Sequence, residues 1–384
     1  MAVTVKTLYN NGSFLYRMNI LAGRSGLENI VQWVHIIEDD DVSKFLHGGE
    51  LVFTAGILNH EEEWLLHFAR KLVKASASAF VVNIGPYTRQ VPPSVISFCN
   101  ESGLPLFTIP WETKMVDMTR DFCHRIMQAE HTENTIMTTM KNILFKIGDM
   151  ESQMMQMERY GFHRNSRFCF IGVQPDPTGD PEEQRTVLKS SAERTAKEIG
   201  GQFVTFTYNE CRILVLANCS PQETDAFLQG FVRRAQERLH GQTLYLGVSP
   251  ILAGIGNQSA NFEKALSAME MAGRRNETIV TYDSLGIYKL LYAVNDKETL
   301  RSFHQETVGR LETYDRENGT TLTPLLRDYL AFNGSLQLVS EKQFVHRNTV
   351  TNQLRKIEQI TGCNPLELDD KLQLLLGFRI GDVL

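Results

Sequence analysis

Apolar positions along this chain change their period several times, and each change marks a different kind of structure. Up to about residue 125, short apolar runs alternate with stretches of helical period. Asn19 to Ala22, Ile30 to Ile37, Ala79 to Ile84 and Leu106 to Ile109 read as strands. Glu61 to Lys74 and Pro93 to Glu101 read as amphipathic helices, the second opened by Pro92-Pro93. This alternation predicts an α/β domain. Next, Ile136, Met140, Ile143, Ile147, Met150, Met154 and Met157 follow one another by fours and threes, a heptad seam that predicts a coiled coil and, through it, a homodimer or higher homo-oligomer. A single helix lying on its own domain has the same period, but the polar flanks and the lack of nearby strands favour association. Methionines in the seam make it adaptable rather than tightly specified.

Residues 166 to 283 read in the order β-α-β-β-α-β. Strand Phe168 to Val173 is followed by a helix from Glu182 to Ile199. A hairpin comes next, Phe203 to Thr207 and Arg212 to Ala217 over Tyr208-Asn209-Glu210, then helix Gln222 to Leu239 and strand Thr243 to Val248. With a further helix from Asn261 to Ala272, this order predicts a ferredoxin-like sheet.

The most informative stretch is Ser335 to Ile360, which reads as a helix-turn-helix. Leu336 and Val339 share one face of a first short helix, and Phe344 and Val345 form an apolar turn. His346 sits at the N-cap of a second helix whose Val350, Leu354, Ile357 and Ile360 recur by four, three and three. That stripe has to pack against the first helix. Arg347, Asn348, Thr349, Thr351, Asn352, Arg355 and Lys356 are left for the outer side. Arg and Asn are the side chains that pair bidentately with guanine and adenine in a major groove, and Arg or Lys near a helix end neutralises phosphate. Two-helix hairpins with polar outer faces that bind nothing are common, so the pattern is weighed together with charge. The chain carries 39 basic and 45 acidic residues, yet Lys342 to Lys356 holds four basic residues and no acidic one. A local basic face on an acidic protein fits site-specific docking on double-stranded DNA better than general coating of nucleic acid.

Composition narrows the remainder. At 384 residues with 42% hydrophobic content, two or three domains with ordinary cores are expected. No apolar run approaches membrane-spanning length and MAVTVKTLYNN lacks the layout of a signal peptide, so a cytoplasmic protein without membrane contact is expected. The six cysteines are dispersed without a CxxC pair, which argues against a zinc ribbon or a disulfide framework. Glu38-Asp39-Asp40-Asp41 reads as a solvated turn capping a short helix from Val42 to Leu46 rather than as a metal site, and neither metal nor cofactor is expected. P-loop, GxSxG, HExxH and dinucleotide fingerprints are missing, and His163, His240 and His304 stand isolated. An enzyme is not indicated.

His346 to Ile357, HRNTVTNQLRKI, closely resembles the C-terminal helix-turn-helix signature of the PucR family of bacterial transcription regulators, and the likeness runs through Gly362 into a closing helix from Asp370 to Ile380. Gln343, Asn352 and Gln353 depart from it. Gly23, Trp33-Val34-His35, Glu38, the run Leu46 to Gly56, Leu104-Pro105-Leu106 and Met115 to Met118 resemble the N-terminal sensor domain of the same family. Phe262 to Ala272 and Tyr282 to Gly286 resemble its cyclase-like middle domain. Cyclases of that type carry a Gly-Gly-Asp/Glu-Glu-Phe hairpin; Tyr208-Asn209-Glu210-Cys211 has no glycine pair and no paired acids, which predicts assembly or relay rather than catalysis.

The resemblance implies a multidomain α/β and α+β protein: a ligand-sensing domain at 1–127, a coiled-coil helix at 128–163, a degenerate GGDEF-like domain at 164–290, and a helical linker with an all-α DNA-binding domain at 291–384. Gly48-Gly49-Glu50 and Thr54-Ala55-Gly56 bracket one strand, and small-ligand clefts form at such strand ends. With the resemblance, this suggests an effector site using Trp33, His35, Glu38, Glu50 and Thr54. The function implied is an effector-responsive activator of a purine or other nitrogen-compound catabolic operon, with RNA polymerase as a further partner. The alternatives are a regulator of amino-acid, amine or aromatic catabolism, and a dimeric scaffold or small-molecule-binding protein that does not bind DNA.

Overall fold

The computed structural model describes residues 3–57 and 62–384. The chain divides into two units, residues 1–142 with 155–160 and residues 143–154 with 161–384. In the first unit the order is α1 (Val5–Leu15), β1 (Asn19–Ala22), β2 (Trp33–Ile36), β3 (Glu50–Thr54), α2 (Glu62–Lys74), β4 (Ala79–Ile84), α3 (Pro93–Ser102), β5 (Leu106–Pro110) and the first part of α4 (Met115–Leu144). The sheet order is β1-β5-β4-β3-β2, parallel except where β1 runs against β5. Both faces are covered, which is why the central strands are continuously apolar. Val52, Phe80, Val82 and Leu106 pack with Phe68, Leu72 and Val95 of α2 and α3. Leu51, Phe53, Val81 and Phe107 turn the other way, toward Leu8, Met118 and Phe122 of α1 and α4.

Glu61, expected to open α2, lies outside the described residues, and the strand expected from Ile30 shortens to Trp33–Ile36. The acidic run builds a 3₁₀ turn at Asp40–Phe45 in place of the expected Val42 to Leu46 helix. The Asp39 side chain caps it by accepting from the Asp41 N–H at 3.0 Å. Asp40 is buried rather than solvated, and Lys71 of α2 sits 2.9 Å from both Asp40 and Asp41. That ammonium bridge ties the turn to α2, holds Asp41 below its ordinary pKa and raises that of Lys71.

The heptad seam does not form one helix. Ile136, Met140 and Ile143 lie on α4, which ends at Leu144, whereas Met150, Met154 and Met157 lie on α5 (Met150–Arg159). Between them Lys146 and Gly148 adopt left-handed backbone with φ of 54° and 75°, and Asp149 caps the new helix by accepting from the Ser152 N–H at 2.8 Å. Ile147 falls in this break and is exposed. The continuous coiled coil expected over 128–163 is therefore replaced by two helices. The 4-3 spacing survives across a break because spacing counts residues and not backbone direction; Gly148 and Asp149 were the stop and start signals. Met140, Ile143 and Met157 are already buried within the single chain.

The second unit begins with β6 (Arg167–Pro175), α6 (Pro181–Ile199), β7 (Gln202–Tyr208), β8 (Cys211–Ala217), α7 (Pro221–Arg238), β9 (Leu244–Val248), β10 (Leu252–Ala253), α8 (Gln258–Arg275) and β11 (Ile279–Thr281). Strands follow the order β11-β9-β6-β8-β7, with the last four antiparallel as a ferredoxin-like sheet requires. Helices α6 and α7 bury Leu188, Phe227 and Phe231 against one face of the sheet. On the other face α8 lies almost on the backbone. Gly172 and Gly247 are directly opposite each other in β6 and β9, and a Cβ on Gly247 would stand 1.9 Å from the Met269 nitrogen.

The chain ends in helices α9 (Tyr288–Ala293), α10 (Lys297–His304), α11 (Arg310–Asn318), α12 (Leu322–Ala331), α13 (Leu336–Lys342), α14 (Arg347–Thr361) and α15 (Leu368–Gly381). Packing runs without a gap past residue 290. Ala268, Met271 and Ala272 of α8 share a cluster with Tyr288, Leu291, Leu300 and Ile380, so the middle and C-terminal segments are joined through α8, α9, α10 and α15. Among the described residues no helix is long and apolar enough to cross a membrane.

Replacing Gly247 by alanine should force α8 off the sheet. The expected cost is about 2–3 kcal/mol, the upper range for overpacking, read as a lower denaturation midpoint. A variant as stable as the parent would contradict this close approach.

Candidate nucleic-acid interface

Ser335 opens α13 by accepting from the Leu338 N–H at 3.4 Å, and the helix stops at Gln343. Phe344 then takes a left-handed φ of 54°, which turns the chain between the two helices. Its ring is 95% exposed, so the expected apolar turn is apolar only at Val345, which packs against the core. The His346 imidazole caps α14, Nδ1 accepting from the Asn348 N–H at 3.3 Å. Val350, Leu354 and Ile357 are buried with Val339 of α13 and Leu326 and Tyr329 of α12, while Ile360 is only half-buried and Thr361 takes the last buried place.

What this packing leaves outside is narrower than the sequence suggested. Asn348, Asn352 and Arg355 form an exposed row at helical spacing, with Arg347 and Thr349 beside it at the first turn. Gln359 continues the row one turn further, a position that sequence reasoning missed although the four-residue step from Arg355 reaches it. Two expected members turn away. Thr351 is half-buried and donates to the Arg347 carbonyl at 3.2 Å, and the Lys356 ammonium lies over the Tyr314 ring at 4.9 Å. Lys342 is likewise engaged, donating to Asp328 of α12 at 2.8 Å, beside Gln343, which donates to the same carboxylate at 2.6 Å. That bond accounts for a polar Gln343 in the turn. Arg347 and Arg355 make no ion pair among the described residues, so the cationic charge of this face comes from them.

The residues expected to hold an effector do not converge. Trp33 pairs with Glu50 at the N-terminal end of β2 and β3, whereas Glu38 and Thr54 lie at the C-terminal end, about 13 Å along the strand. Glu50 is buried and accepts from the His47 and Gly48 N–H groups at 2.8 and 3.0 Å, which shapes the glycine turn before β3. Glu38 accepts from the Ala55 and Ile57 N–H groups at 2.8 and 3.0 Å and from the Thr54 hydroxyl at 3.2 Å. Both carboxylates are committed to closing loops. At the C-terminal end the buried Trp64 indole N–H and the buried Asn83 amide oxygen have no hydrogen-bond partner among the described residues. Neither was legible in the sequence.

In the middle domain, β7 and β8 are joined by Asn209-Glu210 alone, both with positive φ, a two-residue hairpin turn. A cavity of about 360 Å³ lies beside it, lined by residues that include Gln184, Thr207 and Arg212. Burial raises the pKa of all six thiols, with Cys99 and Cys169 pushed up to about 12. Such protonated thiols are poor nucleophiles. Among the described residues no cluster of three or more His, Cys, Asp or Glu side chains is placed to hold a metal ion.

Comparison with known proteins follows these three regions. Residues 7–126 match the purine catabolism regulatory protein-like family, residues 150–271 the GGDEF-like domain, and residues 322–380 the PucR C-terminal helix-turn-helix domain. Among curated proteins of Bacillus subtilis (strain 168), the chain is 24% identical over 179 residues to the proline-responsive transcriptional activator PutR, covering 44% of this chain and 43% of that one. It is 24% identical over 236 residues to the DNA-binding transcriptional activator AdeR, covering 57% and 54%, and 25% identical over 116 residues to the purine catabolism regulatory protein, covering 30% and 22%. The matched part thus spans about half the length of the first two relatives. Segments matching the PucR-type N-terminal domain, a GGDEF-like domain and the PucR C-terminal helix-turn-helix domain thus follow one another along this chain.

Proposed function

We propose that the protein is a dimeric, effector-responsive transcription regulator that docks α14 in the major groove of operator DNA and activates genes for the breakdown of a nitrogen compound. The exposed row Asn348, Asn352 and Arg355, flanked by Arg347 on a helix whose opposite side is locked into the core, carries this reading. Fifteen residues of α14 span about 22 Å, enough to cross a groove about 12 Å wide. Two copies would read two half-sites about 34 Å apart or a multiple of that. Activation and the nitrogen-compound class are taken from the names of the relatives, one responsive to proline and one concerned with purine catabolism. The effector is best sought at the C-terminal end of the first unit's parallel strands, where Trp64 and Asn83 offer unpartnered polar atoms. The GGDEF-like domain, with a single acid in its hairpin turn, serves as a relay and not as a cyclase.

Arg347→Ala and Asn348→Ala should each weaken binding to the protein's own upstream region by about 1–3 kcal/mol and relax base preference, measured by fluorescence anisotropy at fixed salt. Affinity unchanged in the double variant would remove α14 from the interface.

Arg355→Ala should lower affinity for all sequences and reduce the slope of log affinity against log salt by about 1, the mark of a lost phosphate contact. Lys356→Ala should leave that slope nearly unchanged, since its ammonium already lies on Tyr314. A reversed ranking of these two variants would show that Lys356 leaves the ring to reach the DNA.

A further inference from the structure

Helix α15 has two apolar sides. Leu374, Phe378 and Ile380 are buried in the helical cores of the second unit, whereas Leu368, Leu372 and Leu375 are 77%, 61% and 37% exposed on the outside. Leu366, just before the helix, is 59% exposed. Positions 368, 372, 375 and 379 lie on one helical face, and a helix apolar on both sides is ordinarily buried on both.

We infer that this outer leucine face pairs with the same face of a second copy of the chain, the two α15 helices running antiparallel about a two-fold axis. The face is its own complement. It is symmetric about the midpoint between Leu372 and Leu375, so a two-fold rotation there sets Leu372 of each copy against Leu375 of the other and the Leu368 end against Arg379. Charge follows the same rule. Asp369 is exposed at the start of the helix and makes no ion pair among the described residues. Arg379, at the end of the helix, holds the Tyr288 hydroxyl at 2.8 Å and Asp382 at 3.7 Å while its side chain stays 46% exposed.

Antiparallel pairing brings the acidic end of each helix to the basic end of the other and opposes the two helix dipoles favourably. Parallel pairing would set like charge against like. Four partly exposed leucines fall short of the ~800 Å² that a standard interface buries on each partner, so the association is modest when this face acts alone. Because α14 and α15 share one core, the pairing would also fix the separation of two recognition helices.

The inference rests on the dimeric part of the proposed function and is tested on the full chain without DNA, by sedimentation equilibrium. Leu372→Lys and Leu375→Glu should each weaken self-association about tenfold or more. An equal mixture of the two should restore it, because the introduced lysine of one copy then meets the introduced glutamate of the other across the axis, while the symmetry-related contact stays leucine on leucine. Recovery also shows that both variants are folded. A mixture of Leu372→Lys with Leu372→Glu, which this register does not pair, should recover less. Unchanged association in either single variant, or no recovery in the first mixture, overturns the inference. Arg347→Ala should leave association intact, so loss of DNA binding and loss of pairing are read separately.

Discussion

Burial of one side of α14 decides which side chains that helix can present to a partner. Val350, Leu354 and Ile357 occupy a core built from α12, α13 and α15, and this fixes both the axis of the helix and its rotation about that axis. A rotation by one position, about 100°, would turn these apolar side chains toward solvent and bury Thr351, Arg355 and Glu358 in their place. Each unpaired polar group would cost about 1–3 kcal/mol, and a buried guanidinium more. The outward row is thus a consequence of core packing. Contacts on its borders trim it further: Tyr314 draws Lys356 across its ring, and the Arg347 carbonyl takes the Thr351 hydroxyl.

How much of this was legible depends on how local the cause is. The buried stripe of α14, its His346 cap, the glycine-rich turn before β3 and the β-α-β-β-α-β order are set by spacing and turn chemistry within a few residues, and the chain displays them directly. The destination of a long side chain is not local. Lys356 meets Tyr314 from α11, and Gln343 meets Asp328 from α12, pairings that require knowing which helices adjoin. The seam from Ile136 to Met157, by contrast, fails for a local reason. Its spacing matches a coiled coil, but a left-handed Gly148 and the capping Asp149 turn the chain inside it.

The candidate effector residues illustrate a different confusion. Glu38 and Glu50 have the chemistry of ligand-binding carboxylates, and the strand between them has ends where ligands bind in α/β folds. The structure commits both to backbone N–H groups of adjoining loops, which closes turns that contain φ-positive glycines. A carboxylate near a glycine turn has two uses, and sequence does not separate them. Unpartnered buried polar atoms do, because a folded chain seldom leaves such atoms unsatisfied without a reason. By that measure Trp64 and Asn83 are better markers of the proposed effector end than the acids.

The C-terminal helix then connects the parts of the second unit. Tyr288 of α9 donates to Asp382 at 2.6 Å and accepts from Arg379 at 2.8 Å, and Ile380 enters the cluster formed by α8. Burial, reinforced by the Asp382 carboxylate, raises the pKa of Tyr288, so its hydroxyl stays a donor. The other end of α15 packs Leu374 and Phe378 into the core that holds α14. A shift of α8 relative to its sheet would have to be absorbed at Gly247, where there is no space, or passed to α15. Packed helices transmit such shifts because dense cores hold discrete arrangements and do not deform smoothly. In this chain that places α15 between the GGDEF-like domain and α14, with its outer leucines facing away from both.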